Sequence, residues 1–384
     1  MVRAAFVSEQ GALSMAWSDL GNIWSTFREL DIRPIREEAE RAVVLAVVGA
    51  AGVGKTTLIN AMGHDSRAHD KIVSPTIEVN LDAADSIGSA DLVILVLDAT
   101  QTDYTAEADL YRGWKKANIN VLVYYNKIDA VRVGNALGTG AWPWSGSVLA
   151  LGSALDPASL LTDFVPKVLE LLPARHLSVA RHFPLFRLPV SRGLIADTSV
   201  ANATYSLGSG LAETIPALDI PFNVADIVVL TKNQALMVYK LGLALGLPGR
   251  WQSHVTELGG VVGAGFMWRQ VARQLIGLVP VWGIIPKVAV AYAGTYAVGQ
   301  AVLYWYQTGH KVSAAGMRQF YADALAQGRQ VAQNLIARTP RPALPRVSLP
   351  ARSAGRLKDV CPNCGRENPP DARFCAYCGT PLST

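Results

Sequence analysis

Four runs of apolar, β-favouring residues mark the first half of the chain: AVVLAVVG from Ala42, DLVILVLDA from Asp91, NVLVYYNK from Asn120 and SVLALGS from Ser147. Helical stretches separate them, and strands alternating with helices predict a parallel α/β sheet over residues 42–173. Before it, Trp17, Leu20, Trp24, Phe27 and Leu30 recur at helical spacing, followed by Pro34 and the charged run REEAER, so residues 1–41 read as an amphipathic helix and a lead-in. From residue 174 to 337 the period turns helical, with long apolar stretches broken at Pro216, Pro248, Pro280 and Pro286. Residues 338–358 are rich in proline and arginine and read as an extended linker, leaving 359–384 as a third, very small unit.

Composition sharpens this picture in three ways. Only 17% of the 384 residues are charged, against about 25% in typical soluble chains, which points to apolar surface that meets a membrane or a partner. The formal charge of +5 owes much to the linker, so a solvated basic segment explains it better than nucleic acid, and no nucleic-acid partner is expected. All four cysteines fall in the final segment, which fits a reducing compartment, and the first residues hold too few apolar positions for a signal-peptide core. A cytoplasmic protein, at the inner face of the cell membrane, is expected.

The first apolar run leads into GAAGVGKTT, which fits G-x-x-x-x-G-K-[ST] at Gly49, Gly54, Lys55 and Thr56, with a strand before and a helix after. Such a P-loop curls backbone N–H groups around phosphates at a helix N-terminus, so Gly49, Gly52, Val53, Gly54, Lys55, Thr56 and Thr57 are the expected phosphate-binding residues. Lys55 would reach the β- and γ-phosphates and Thr56 would bind Mg²⁺. The loop alone does not choose between ATP and GTP.

VLVYYNKIDA supplies the choice, because its Asn126, Lys127 and Asp129 stand where Ras-like and Era-like GTPases carry N-K-x-D. The resemblance covers residues 42–173 and implies an α/β GTPase domain binding GTP or GDP. It implies that Asp129 accepts from guanine N1 and the 2-amino group, that the Lys127 stem lies over the base, and that Asn126 ties neighbouring loops together. It also implies a base-contacting S-A-x loop at Ser153 and Ala154. The similar TKNQ at Thr231–Gln234 lacks the acid and reads as helix.

The nucleotide-sensing segment departs from that family. Thr76 is the candidate threonine for γ-phosphate and Mg²⁺, and Asp82, ending the alternating TIEVNLD, is the candidate carboxylate of the family's D-x-x-G. The literal D-S-I-G begins instead at Asp85, away from a strand end, where a metal-directed acid belongs. Few residues separate Asp82 from the next strand, and no glutamine is present to orient water. GTP binding with slow hydrolysis is therefore expected, with Lys55, Thr56, Thr76 and Asp82 as the catalytic set.

Residues 192–337 resemble a bacterial helical domain of unknown function found fused to GTPase domains, which implies membrane association for some members and no chemistry. The 19-residue uncharged run Val288–Tyr306 is near the roughly 20 residues that a membrane span needs. Its Ala289, Ala293, Ala297 and Ala301 form a small-residue stripe that suits helix contact in lipid or in a soluble bundle. A second candidate, Leu258–Trp268 with Leu275–Pro286, is interrupted by Arg269 and Arg273.

In the tail, CPNCGRENPPDARFCAYCG places Cys361, Cys364, Cys375 and Cys378 in two C-x-x-C-G turns, the donor set of a closed, structural Zn²⁺ site. The segment resembles short bacterial zinc ribbons, and a redox dithiol is the alternative. With only Arg366 and Arg373 as basic residues, it is expected to meet a protein partner. The whole then reads as a membrane-proximal switch or assembly factor, or as a scaffold whose nucleotide site does not cycle.

Overall fold

The structure, a computed structural model, describes residues 31–63, 76–131, 144, 147–212, 224–249, 284–310, 312–338, 359–368 and 373–382. The expected helix over Trp17–Leu30, the linker 339–358 and most of the second membrane candidate lie outside them. The chain forms two compact units, Met1–Ala337 and Arg338–Thr384.

In the first unit five strands form one parallel sheet, ordered β2-β1-β3-β4-β5: β1 (Leu45–Gly49), β2 (Thr76–Asn80), β3 (Leu92–Asp98), β4 (Val121–Asn126) and β5 (Val148–Leu151). β1, β3 and β4 are unbroken apolar runs because helices cover both their faces. β2 and β5 are edge strands and alternate. The expected TIEVNLD strand stops at Asn80, and Leu81–Ile87 coil into a 3-10 helix, so Asp82 lies past the strand rather than at its end.

One face of the sheet is covered by α3 (Thr105–Lys116), through Ala108, Tyr111 and Trp114, together with Ala84, Ile87 and Trp144. The other face carries α1 (Arg33–Glu40), α2 (Lys55–Gly63), the short α4 (Pro157–Ser159), the π-helical Leu160–Phe164 and α5 (Val165–Leu171). The charged lead-in thus forms a helix of its own, with a proline in its first turn, where no intrahelical N–H is lost.

The segment after residue 173 is helical: α6 (His176–His182), α7 (Pro184–Ala212), α8 (Val224–Ala244), α9 (Ile284–Thr308) and α10 (Ala314–Arg338). The TKNQ segment, which lacks the acid of N-K-x-D and is expected to be helical, is inside α8. Pro248 follows α8, whereas Pro286 falls in the first turn of α9 and does not break it; Pro216 and Pro280 lie outside the described residues.

Some of these helices share a core with the sheet: Leu177, Val179, Phe183, Phe186, Tyr239 and Leu243, from α6, the start of α7 and the end of α8, bury into the same cluster as Leu45, Ile94 and Tyr124. That one cluster crosses residue 173, the boundary expected from the change of sequence pattern, while Ile195, Met237, Val298 and Val302, and Ala203, Val288 and Ala332, form clusters of the helices alone.

Helix α9 is the buried spine of the bundle. Its alanine stripe, Ala289, Ala293, Ala297 and Ala301, is buried, and a Cβ on Gly299 would stand 2.7 Å from Ile195 of α7. On α10, a Cβ on Gly328 would stand 2.7 Å from the Ala289 carbonyl oxygen. At its centre the Thr295 hydroxyl accepts from Asn202 Nδ2 at 2.8 Å and Gln234 Nε2 at 3.1 Å, and donates to the Ala291 carbonyl. Among the described residues no helix is long and apolar enough to cross a membrane. The alanine stripe packs against neighbouring helices, and the tyrosines, Thr295 and Gln300 lower the apolarity of the run.

In the second unit, β6 (Asp359–Val360) and β7 (Glu367–Asn368) pair antiparallel, and Phe374 bridges Pro381. Each half closes a tight turn. Gly365 N–H donates to the Cys361 carbonyl and Gly379 N–H to the Cys375 carbonyl, both at 2.9 Å. The two glycines have φ of 68° and 71°, the left-handed conformation that favours glycine.

Candidate functional site

The strand order reverses about β1, since the chain passes from β1 outward to β2 and returns to β3 on the other side. At such a point the loops after neighbouring strands diverge and leave a crevice at the carboxyl edge of the sheet. Gly49, Asn80, Asp98 and Asn126 all end their strands there; register places Gly49 opposite Asn80 and Asp98 opposite Asn126.

The glycine-rich turn Gly49–Gly54 crosses this crevice from β1 to α2. A Cβ on Gly49 would meet the Val96 carbonyl oxygen at 2.5 Å, and Gly54 has a φ of 98°, so neither position suits a side chain. Lys55 is only 5% exposed, and its ammonium donates to the carbonyls of Gly49 (3.0 Å) and Ala50 (2.9 Å) and to Asn80 Oδ1 (2.8 Å). The Thr56 hydroxyl sits 2.9 and 3.1 Å from the two carboxylate oxygens of Glu78. No acid lies in the first turn of α2 to offset its positive end or the Lys55 charge, an arrangement that favours an anion.

Asn126 is buried and joins two loops. Its Nδ2 donates to the Val53 carbonyl at 2.8 Å, and its Oδ1 accepts from Ala154 N–H at 2.7 Å. The glycine turn and the Ser153–Ala154 loop are thereby fixed to the end of β4. Lys127 takes the left-handed conformation, φ 64°, which bends the chain back, and its Nζ meets Asp98 Oδ2 at 2.6 Å. Burial works against the Asp98 carboxylate, but hydrogen bonds from Lys127 and Thr100 outweigh it and hold the group below the usual carboxylate range. Asp129 follows in a 3-10 turn with its side chain exposed. Ser153 is buried and Leu155 beside it is 79% exposed.

Of the residues marked from sequence, Gly49, Gly52, Val53, Gly54, Lys55, Thr56 and Thr57 lie on the turn and the start of α2, with Asn126, Lys127, Asp129, Ser153 and Ala154 around the same edge. Two others stand apart. Thr76 pairs with Leu45, at the amino end of β1, four positions or about 13 Å back along the strand from the Gly49 end. Asp82 is exposed in the 3-10 helix. Sequence reasoning passed over Glu78, Asn80 and Asp98. The available signal was the alternation of TIEVN, which puts Glu78 and Asn80 on one side and buried Val79 on the other.

In the second unit the four cysteine sulfurs lie within 4.8 Å of one another, with Cys361–Cys378 at 3.5 Å and Cys364–Cys375 at 3.6 Å. A tetrahedral ion with bonds of about 2.3 Å to sulfur requires edges of about 3.8 Å, so the donor set fits Zn²⁺. The surroundings favour thiolates unequally. Thr380 pulls the Cys378 thiol down to about 6, and the Tyr377 N–H pulls Cys375 down. At Cys364 the Arg366 N–H acts downward too, but burial and the crowded thiols push it up to about 12. Four thiolates this close need a cation among them. Arg366 covers the Tyr377 ring at 4.8 Å.

Residues 360–382 match the zinc-ribbon domain family. No curated protein matches the chain.

Proposed function

We propose that the crevice at the carboxyl edge of the sheet binds a guanine nucleotide with Mg²⁺, and that the chain is a slow GTPase serving as a membrane-proximal switch or assembly factor. The observation that carries this reading is the double tie of Asn126, which holds a glycine turn and a second loop around one crevice and so prearranges a phosphate end and a base end. At the phosphate end, the N-terminus of α2 and Lys55 would hold phosphate oxygens, and Thr56 would take Mg²⁺. At the base end, Asp129 would accept from the guanine edge and the Lys127 stem would cover the ring. Mg²⁺, when bound, offsets phosphate charge. No glutamine lies between Thr76 and Asp98 to orient water, which supports slow turnover.

A second reading is favoured by the short connection between β2 and β3. Only residues 81–91 separate those strands, and a 3-10 helix takes up most of them, leaving little chain to rearrange between nucleotide states. The nucleotide would then be a fixed part of a scaffold.

Equilibrium binding of GTP, GDP and ATP to the purified chain tests both. The expected result is that GTP and GDP bind at least about 100-fold tighter than ATP, because a carboxylate placed to accept from guanine N1 and the 2-amino group meets no such donors on adenine. Asp129→Asn should remove that discrimination. Equal ATP binding, or discrimination indifferent to Asp129, would overturn the guanine reading and favour an ATPase. Equal affinity for GDP and GTP would select the scaffold, since a ligand pair that does not distinguish two states cannot shift them.

A further inference from the structure

The acid expected to face Mg²⁺ from the sequence, Asp82, is not the acid that faces Thr56. We infer that Glu78 is the carboxylate that positions the divalent cation in this crevice, an inference that rests on the nucleotide reading above. Both Glu78 oxygens lie within 3.1 Å of the Thr56 hydroxyl. A hydroxyl and a carboxylate side by side are hard oxygen donors of the kind Mg²⁺ selects.

Register fixes this placement. In the parallel pair Glu78 stands opposite Val47 and Asn80 opposite Gly49, so the two polar side chains project from the same face of β2 toward the start of α2. Val79, between them, is buried against the opposite face of the sheet with Val48, Leu95 and Ile87. A slip of one residue would drive Glu78 into that core and Val79 into the crevice. Asn80 completes the pattern by holding Lys55 at 2.8 Å, at the strand-end position where the family's aspartate is otherwise expected.

The other described acids near this edge are placed differently. Asp98 takes Lys127 and the Thr100 N–H and hydroxyl, Asp129 follows β4 at the base end, and Asp82 is exposed in the 3-10 helix after β2. Glu78 alone among them sits on the residue that would carry the ion.

The test is the gain in affinity for fluorescent GDP on adding Mg²⁺ in place of EDTA, measured on the full chain. Wild type should gain about tenfold or more, and Glu78→Gln, which keeps shape and removes charge, should lose that gain, in line with the roughly 10–100-fold effect of removing a group that orients a metal ligand. In EDTA the variant should bind no more weakly than wild type, because a carboxylate without its ion only repels phosphate. Asp82→Asn should keep the full gain. Melting curves for Glu78→Gln and Glu78→Asp establish that both fold, and Glu78→Asp should recover part of the gain. A purely structural Glu78 would shift melting and leave the Mg²⁺ ratio intact, which would overturn the inference, as would loss of the gain in Asp82→Asn. Wild type that binds GDP with no Mg²⁺ gain would overturn it while leaving nucleotide binding standing; wild type that binds no nucleotide would remove both.

Discussion

Asp98 closes β3 with a carboxylate that serves three donors, the Lys127 ammonium and the N–H and hydroxyl of Thr100. Hydrogen bonds to a charged group contribute about 1.5–3 kcal/mol each, so Asp98→Asn should destabilise the first unit by roughly that amount and release Lys127. The pH dependence follows from a lowered folded-state pKa. Above the unfolded value, near 4, the contribution is fully present; it falls away as pH drops through the lower folded value. Urea unfolding between pH 3 and 7 should therefore show a steeper acid loss in wild type than in Asp98→Asn, and parallel curves would contradict the assignment. At this scale some roles were legible and others were not. The loop-tying contacts of Asn126 match what its N-K-x-D setting implied, whereas the ion pair of Lys127 with Asp98 left no mark in that motif. Glu78 was not legible either, because an acid on the exposed positions of an alternating edge strand is also the default for any solvated strand, and only the register with β1 shows what it faces.

Among the elements, the strands of the sheet were readable because burial on both faces leaves unbroken apolar runs. The end of β2 was not, since TIEVNLD keeps alternating past Asn80 and nothing local forbids two more strand residues; the 3-10 helix forms where Ala84 and Ile87 reach the core beside α3. Helix α9 was equally ambiguous in isolation. A stripe of alanines suits close helix contact in many settings, and its partners, Ile195 of α7 and Gly328 of α10, are far away in sequence and leave no local signal. The cysteine segment is the opposite case, where spacing alone specified the element. So few residues bury almost nothing beyond Cys361, Cys375 and Leu382, so metal binding must supply the folding free energy. Treatment with a strong chelator should open residues 361–378 to protease, and added Zn²⁺ should restore protection; resistance in the chelator would show a fold that does not need the ion.

On the scale of the molecule, the change of pattern at residue 173 was visible, but the common core across it was not, because packing partners leave no mark in a one-dimensional period. Phe183, Phe186 and Tyr239 lie against Tyr124, Phe164 and the sheet. Burial of one such ring contributes about 1.5–3 kcal/mol, and a whole domain retains only roughly 5–15 kcal/mol of net stability. A fragment of residues 42–173 should accordingly show no cooperative melting transition, while residues 1–337 should melt in one step. A sharp transition in the short fragment would prove the sheet self-sufficient.

That common core also bears on descent. A sheet module that closes its own core can be copied into a new gene and joined to any neighbour; this one would arrive with an open wall, because α6 and the facing ends of α7 and α8 form part of its core. A change of volume at Phe183 or Leu243 would be felt in the cluster that also holds Tyr124 and Ile94, so a new neighbour would have to refill that wall.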